Sequence, residues 1–534
     1  MKTSALIKAT VCYAAVLLLT GCIFDSLINL EEDLSATGRT ITIEVAVPDE
    51  NPQDAPQTRL SLEEDGLNII MAWEAGDNIY LVFTQEGAIK GKQTVTLTTG
   101  NISNEGKKAV FSLVIPEAIT EGTFNLYGVC GGEGFAGEES YELYLPELPW
   151  SGTLAQVQNK KVSLLRFAVD NINIANPSVS AVFEHVGSLF HIAFKNSGSN
   201  TLMDITKAEL TAATAIQAYQ NIGSATYNPV TGEFYGVTTA GTSLPFVFTS
   251  TDLPMNGILH FWGWHAPVAN QIWPALSLQI TADGGPYTST NARPARITAT
   301  ACGKAYHFYA VINDATLKFI DTDSEGYIID TRDNNIYKTV TIDSQTWMAE
   351  NLKFLPSVSN HYEGSDSSPY YYVYDYQDGD VTEAKTKTNY QIYGVLYNWP
   401  AAMAGASSSD TNPSGIQGAC PAGWHLPSDA EWTQLTNFLG IVSIAGGKMK
   451  ETGTNHWKYP NEGATNERGF TALPGGYRSA YDYFYYIGEY GIWWSATQGD
   501  YNSVYRRYLG YNYSDIGRNI DNKDDGYSVR CVKD

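Results

Sequence analysis

The stretch Cys420-Pro-Ala-Gly-Trp-His-Leu-Pro-Ser-Asp-Ala-Glu-Trp-Thr-Gln-Leu435 reads as a buried edge running into a helix. Ser428 is a favourable N-cap, and Glu431, three positions on, can close a capping box over the first turn. Trp432, Leu435 and Leu439 recur at helical spacing and are expected to face a core, with Gly440 as the stop. His425, held between Trp424 and Leu426, reads as structural. The only later cysteine is Cys531. A bridge from Cys420 to Cys531 would close the C-terminal lobe around this helix.

The totals set the frame. A chain of 534 residues holds two to four domains, each with a core of its own. The net charge of -24 disfavours nucleic acid, whose binders need a basic face, and disfavours electrostatic adhesion to anionic lipid. With 35 tyrosines, 48 glycines and few helix-period runs, the expectation is β-rich domains joined by many turns.

At the N-terminus, Lys2 and Lys8 precede an apolar run, Val11 to Leu19, that is too short to span a membrane. Leu19-Thr20-Gly21-Cys22 follows and resembles the lipobox of bacterial lipoproteins. The resemblance implies a signal peptide over 1–21, acylation of Cys22 and anchoring by lipid rather than by a helix. Residues 22–39 read as a polar tether. Four cysteines then remain, Cys130, Cys302, Cys420 and Cys531, with three possible pairings in an oxidising compartment. Cys420 with Cys531 is preferred because both fall in one apparent domain. Cys130 and Cys302 read either as buried thiols or as a second bridge.

Alternating segments recur between residues 40 and 315, beginning with Thr40-Ile-Thr-Ile-Glu-Val-Ala-Val47. Thr58-Arg59, Trp73-Glu-Ala-Gly-Asp-Asn-Ile79, Phe183-Glu-His185 and Ser188-Leu-Phe-His-Ile192 together resemble the fimbrillin-like family of pilus subunits. That likeness implies two β-sandwich lobes, 40–158 and 159–316, with His185 as a core or inter-lobe residue. It also implies a route to assembly. A protease cut after Arg59, in an apparently exposed loop, would release the Thr40–Val47 strand and open a groove to a strand from another subunit. Arg39 is the alternative cut, but it would leave the strand attached. An acidic hinge, 317–325, is read as a linker. Asp321-Thr-Asp-Ser-Glu-Gly326 opens like a calcium loop, but Arg332 stands where the closing glutamate belongs.

From residue 326 to 534 the signatures are dense. They include Gln345-Thr-Trp-Met-Ala-Glu-Asn-Leu352, Tyr393-Gly-Val-Leu-Tyr-Asn-Trp399, Gly469-Phe-Thr-Ala-Leu-Pro-Gly-Gly-Tyr-Arg478, Trp493-Trp-Ser-Ala-Thr497 and Tyr527-Ser-Val-Arg-Cys531. In order, they resemble the Fibrobacter major paralogous domain family. The resemblance implies an α+β domain of the C-type lectin-like kind, related to the formylglycine-generating-enzyme fold. The fold class expected overall is therefore mainly β, with an α+β lectin-like C-terminal domain.

Enzyme chemistry is disfavoured, because His-Glu-x-x-His, Gly-x-Ser-x-Gly and Cys-x-x-Cys are all missing. No cofactor is expected. Calcium lacks its Glu-Pro-Asn and Trp-Asn-Asp motifs, so Asp375, Asp378, Asp380 and Asp521, Asp524, Asp525 read first as solvated turns. The runs Tyr370–Tyr376 and Tyr481–Tyr486 are the candidates for recognition, with Tyr371, Tyr374, Tyr483 and Tyr485 as ligand-binding aromatics; half-exposed strand residues are the alternative. Trp493 and Trp494 read as core. The expected function is adhesion at the cell surface of a Gram-negative bacterium, as a pilus tip or accessory subunit. Expected partners are other subunits through strand addition and a surface glycan or protein, with the membrane held through lipid. An anchored surface protein outside pili is the alternative, and an exported enzyme a remote one.

Overall fold

The computed structural model describes residues 39–534, apart from 48–58, 61–68, 71, 105, 147–150, 153–163, 217, 240, 269–271, 284, 296–301, 304, 322–323 and 482. The signal peptide, Cys22 and the tether lie outside the described residues. The chain divides into two compact units, and it is predominantly β.

The first unit is built from residues 73–129 and 167–183 with the segment up to Ala46. Thr40–Ala46 alternates as its sequence predicts, with Ile41, Ile43 and Val45 buried. It lies inside its sheet, antiparallel to Lys108–Val114 on one side and parallel to Ser178–Val182 on the other. A second sheet in the unit pairs Ala88–Thr96 with Asn78–Gln85 through a tight turn at Glu86 and Gly87. Both turn residues have positive φ, 52° and 77°, as the twist of a two-residue hairpin requires.

The second unit holds most of the remaining strands and all five α-helices of the described residues. Its first part is a sandwich. One sheet runs in the order Phe234–Thr239, Ala218–Tyr227, Ile258–Pro267, Ser188–Asn196, Ala305–Asn313 and Thr316–Ile320; the other in the order Ser243–Leu253, Leu202–Thr211, Ser277–Ala282 and Gly285–Thr288. Phe190, Ile192, Phe194 and Phe308 of one sheet share a core with Leu210, Phe246, Leu278 and Ile280 of the other. Thr316–Ile320, read from sequence as the beginning of a linker, is a strand, because Leu317 and Phe319 are buried in that same core.

The strand Ser188–Asn196 is buried at all nine positions. A sandwich strand normally leaves one face to solvent. Here the outer face is covered by the C-terminal part of the chain. Ala193, Tyr309 and Val311 pack with Ile329 and Ile336, which lie on the hairpin Tyr327–Asp330 and Asn335–Ile342. Lys195, fully buried, bonds Glu350 at 2.9 Å. Lys338 Nζ donates to the Ser197 carbonyl, and Tyr309 Oη donates to Asn334 Oδ1 at 2.6 Å. Burial alone would raise the Glu350 carboxyl, but Lys195 and Lys353 outweigh it and hold it below the ordinary range.

The C-terminal part carries a five-stranded sheet, a six-stranded sheet and a two-stranded hairpin. In the five-stranded sheet, Val532–Lys533 lies between Gln345–Met348 and Trp424–His425. The disulfide Cys420–Cys531 fastens that arrangement from inside the main core.

Candidate binding surface

The helix Asp429–Leu439 is the scaffold. Ser428 Oγ accepts from the Glu431 amide, and Glu431 Oε2 accepts from the Ser428 amide at 2.9 Å, closing the capping box. Glu431 is buried and does more than cap. It accepts from the Ser414 amide and bonds His425 Nε2 at 2.7 Å, while His425 Nδ1 meets Asp534 Oδ1 at 2.7 Å. Burial pulls the imidazole down, yet its two carboxylate partners outweigh burial and raise it above its ordinary value. Trp432 and Leu435 enter a core with Trp347, Phe470 and Trp493. Trp494 is buried in the neighbouring core.

The hairpin Gly475–Arg478 and Phe484–Ile487 projects from this scaffold. Its anchor is Arg478, which is buried and bonds two separate loops, 361–363 and that of Asp524. Nε donates to the His361 carbonyl at 2.7 Å, Nη2 to the Glu363 carbonyl at 2.9 Å, and Nη1 to the carbonyl and carboxylate of Asp524 at 2.8 and 3.0 Å. The guanidinium also sits 4.9 Å from the centre of the Tyr372 ring. Gly476 has φ +64°, and a Cβ there would come within 2.4 Å of the Tyr485 carbonyl, so only glycine allows this register. At the hairpin tip the Ala480 amide donates to Asp525 Oδ1 at 2.7 Å. Burial, with Asp521 nearby, pushes the Asp525 carboxyl up to about 6.

What the hairpin displays is aromatic. Tyr481 is 81% exposed, Tyr483 62% and Tyr485 40%, with Tyr362 and Tyr486 also exposed. The His361 ring lies 5.7 Å from Tyr483 and nearly parallel to it. From there the rings continue through Tyr485, Tyr486 and Tyr490 at 5.3–6.4 Å. Rings so spaced hold one another upright and leave faces and hydroxyls to solvent.

Of the four tyrosines singled out from sequence, Tyr483 and Tyr485 lie on this surface. Tyr374 is a support, its ring 5.0 Å from Phe484 in the hairpin. Tyr371 lies apart from it: its strand, Tyr371–Tyr372, pairs with Leu396–Tyr397, and its ring packs edge-on against Tyr397 of the main core. Tyr481, Tyr362 and His361 belong to the surface and were not singled out. The run Tyr481–Tyr486 pointed to the first, but no local pattern links 361–362 to 483.

The acidic loops are occupied by protein partners. Asp380 caps the helix Val381–Thr386 by accepting from the Thr382 and Glu383 amides. Asp521 bonds Arg506, and Asp524 bonds Arg478. Among the described residues no group of three or more His, Cys, Asp or Glu side chains is gathered for a metal ion. Among those residues no helix is long and apolar enough to cross a membrane. Cys302 is an exposed thiol whose Sγ lies 3.0 Å from the Val186 carbonyl, and Cys130 is buried. His185 is half-buried, and burial pushes it down to about 4. Arg59 and Leu60 form a two-residue strand paired with Ile69 and Ile70, rather than the loop expected.

Residues 340–533 match the family model of the Fibrobacter succinogenes major domain. The match covers the helix, the disulfide and the tyrosine hairpin. Among solved structures, a "putative cell adhesion protein" from Bacteroides uniformis is similar at 20% identity and TM-score 0.31, over 46% of this chain and 91% of its own. A second "putative cell adhesion protein", from Bacteroides fragilis, is similar at 13% identity and TM-score 0.32, over 53% of this chain and 97% of its own. The tip fimbrial protein Mfa3 from Porphyromonas gingivalis is similar at 9% identity and TM-score 0.26, over 53% of this chain and 97% of its own. A search of curated proteins found no match.

Proposed function

We propose that this chain is a cell-surface lipoprotein precursor that acts in adhesion as a pilus tip or accessory subunit, and whose lectin-like C-terminal domain (residues 326–534) binds a surface glycan or protein. The tyrosine hairpin carries this reading. Exposed rings with free faces and hydroxyls, held on a buried arginine anchor, supply amphipathic contact area that is already ordered before a ligand arrives. No catalytic constellation is part of the reading.

Assembly into a pilus would use the other end of the chain. Thr40–Ala46 is bonded on both sides, so cutting after Arg59 and losing that strand would leave Lys108–Val114 and Ser178–Val182 facing an empty slot. A strand from a second subunit would fit it by β-addition. Arg39 is engaged with the Ile119 and Thr120 carbonyls, which favours Arg59 as the cut.

Binding of the full chain to bacterial and host cell surfaces tests the recognition half. Tyr481→Ala, Tyr483→Ala and Tyr485→Ala combined should weaken it at least tenfold with the fold intact; unchanged binding would remove the hairpin from the reading. Intact mass of the mature protein tests the assembly half. A chain beginning at Leu60 without lipid supports strand exchange, whereas a diacylated Cys22 leaves a permanently anchored binder.

A further inference from the structure

Three histidines on the outer face of the sandwich sheet have no part in the function proposed above. His191 is fully buried, and both of its ring nitrogens meet other imidazoles. Nδ1 lies 2.8 Å from His307 Nδ1, and Nε2 lies 3.0 Å from His260 Nδ1. Trp262 stacks on the His191 ring at 4.1 Å. His307 Nε2 is buried and has no hydrogen-bond partner among the described residues.

The protons in this row can be counted. A neutral imidazole has one N–H and one lone pair. His191 therefore donates to one neighbour and accepts from the other, and the row is complete with all three rings neutral. Because His191 uses opposite ring nitrogens for its two neighbours, the three rings do not converge on one point, as a metal would require. An added proton gives a cation with no carboxylate in the row to receive it.

The charged groups around the row make that cation costlier. Lys195 shares the sheet face, Arg293 acts on His307, and Lys385, on the helix Val381–Thr386, acts on His260. The carboxylates nearby already have cationic partners: Glu350 has Lys195 and Lys353, with Lys338 beside it; Asp321 has Arg293; and Asp333 feels Lys385. Along the same face the row reaches Tyr309, whose ring is 6.2 Å from His307 and 6.5 Å from His191. Tyr309 bonds Asn334 in the hairpin of the C-terminal domain.

We infer that the His307–His191–His260 row is an acid-sensitive release for the joint between the sandwich sheet and the hairpin Tyr327–Ile342. Opening the joint wets the rings and lets them take up protons. Burial supports the same direction: it has pushed His260 and His307 down to about 4, and His191 down with them. The folded values lie below the ordinary 6.5, so the neutral row's contribution to the joint is whole above that pH. It is lost as pH falls from 6.5 toward 4. For each proton taken up, the opening constant rises up to tenfold per pH unit.

Amide hydrogen exchange of the full chain at pH 7.5, 6.5 and 5.5, corrected for intrinsic rates, tests this. Protection over residues 327–342 should fall at least tenfold between pH 6.5 and 5.5, while the Asp429–Leu439 helix stays within twofold. The combined change His260→Gln and His307→Gln should abolish most of that fall. The inference is overturned by constant protection over 327–342, by an equal fall in the helix, or by a fall undiminished in the folded variant. If the variant does not fold, side-chain NMR of the natural protein settles the point. Rings still neutral in the folded chain at pH 5.5 support it, and rings titrating near 6.5 overturn it.

Discussion

Asp525 shows how one side chain can be held against its own preference. Its carboxyl is buried beneath the tyrosine hairpin, where it accepts from the Ala480 amide, and it stands near 6 instead of its ordinary 3.8. A raised carboxyl favours the fold below the ordinary value, and that benefit is lost as pH rises through about 6. Asp525→Asn keeps an acceptor for Ala480 and removes the charge. It should stabilise the protein by about 1 kcal/mol at pH 7.5 and by nothing measurable at pH 4, checked by thermal unfolding at both. His425 has the opposite chemistry: its imidazole is raised by Glu431 and Asp534, so its contribution is full below 6.5 and fades above its folded value. His425→Gln should therefore cost more stability at pH 6 than at pH 9, read from denaturant midpoints. Both carboxyl and imidazole were visible in the sequence, but their environments were not. Asp525 meets a residue 45 positions away and His425 one 109 positions away.

Elements were legible wherever their cause is local. The helix Asp429–Leu439 was read from a cap and a box three residues apart, and Gly440 ends it. What local spacing concealed is that Glu431 also holds Ser414 and His425. Ser428→Ala should cost about 1 kcal/mol, as a lost cap does, whereas Glu431→Gln should cost about 3 kcal/mol because it disrupts a buried charge-assisted network. Equal losses in chemical denaturation would show that Glu431 only caps. The strand Ser188–Asn196 was readable as a strand, but its alternation implies one wet face. Burial on both faces depends on a hairpin more than 130 residues later in the sequence. The histidine row was hidden for the same reason: the three rings lie on three different apolar strands, and the partners of His191 are 69 and 116 positions away. Arg478 ends a recognisable motif, yet nothing around it says that it ties down loops over 40 and over 110 residues away.

At the scale of the whole molecule, the sandwich and the C-terminal part of the second unit meet through a buried ion pair. Lys195→Met would leave Glu350 with Lys353 at 3.9 Å as its nearest cation, and should destabilise by about 3 kcal/mol. Adding Glu350→Leu should recover part of that loss, and differential scanning calorimetry would show both effects. The disulfide acts over a separation of 111 residues, and the combined change Cys420→Ser and Cys531→Ser should cost about 4–5 kcal/mol on the chain-entropy view. The placement of Val532 has a consequence for how the protein is made. Trp347 and His425 both pair with it, so the five-stranded sheet has a missing central rung until Val532 leaves the ribosome. Arg530, wholly buried against Asn351 and the carbonyls of Phe470 and Thr471, arrives only just before. A nascent or truncated chain that stops short of them exposes two open strand edges and an unmatched thiol. Folding of this domain thus waits until Val532 has been made, and chains interrupted before it are left open to proteolysis.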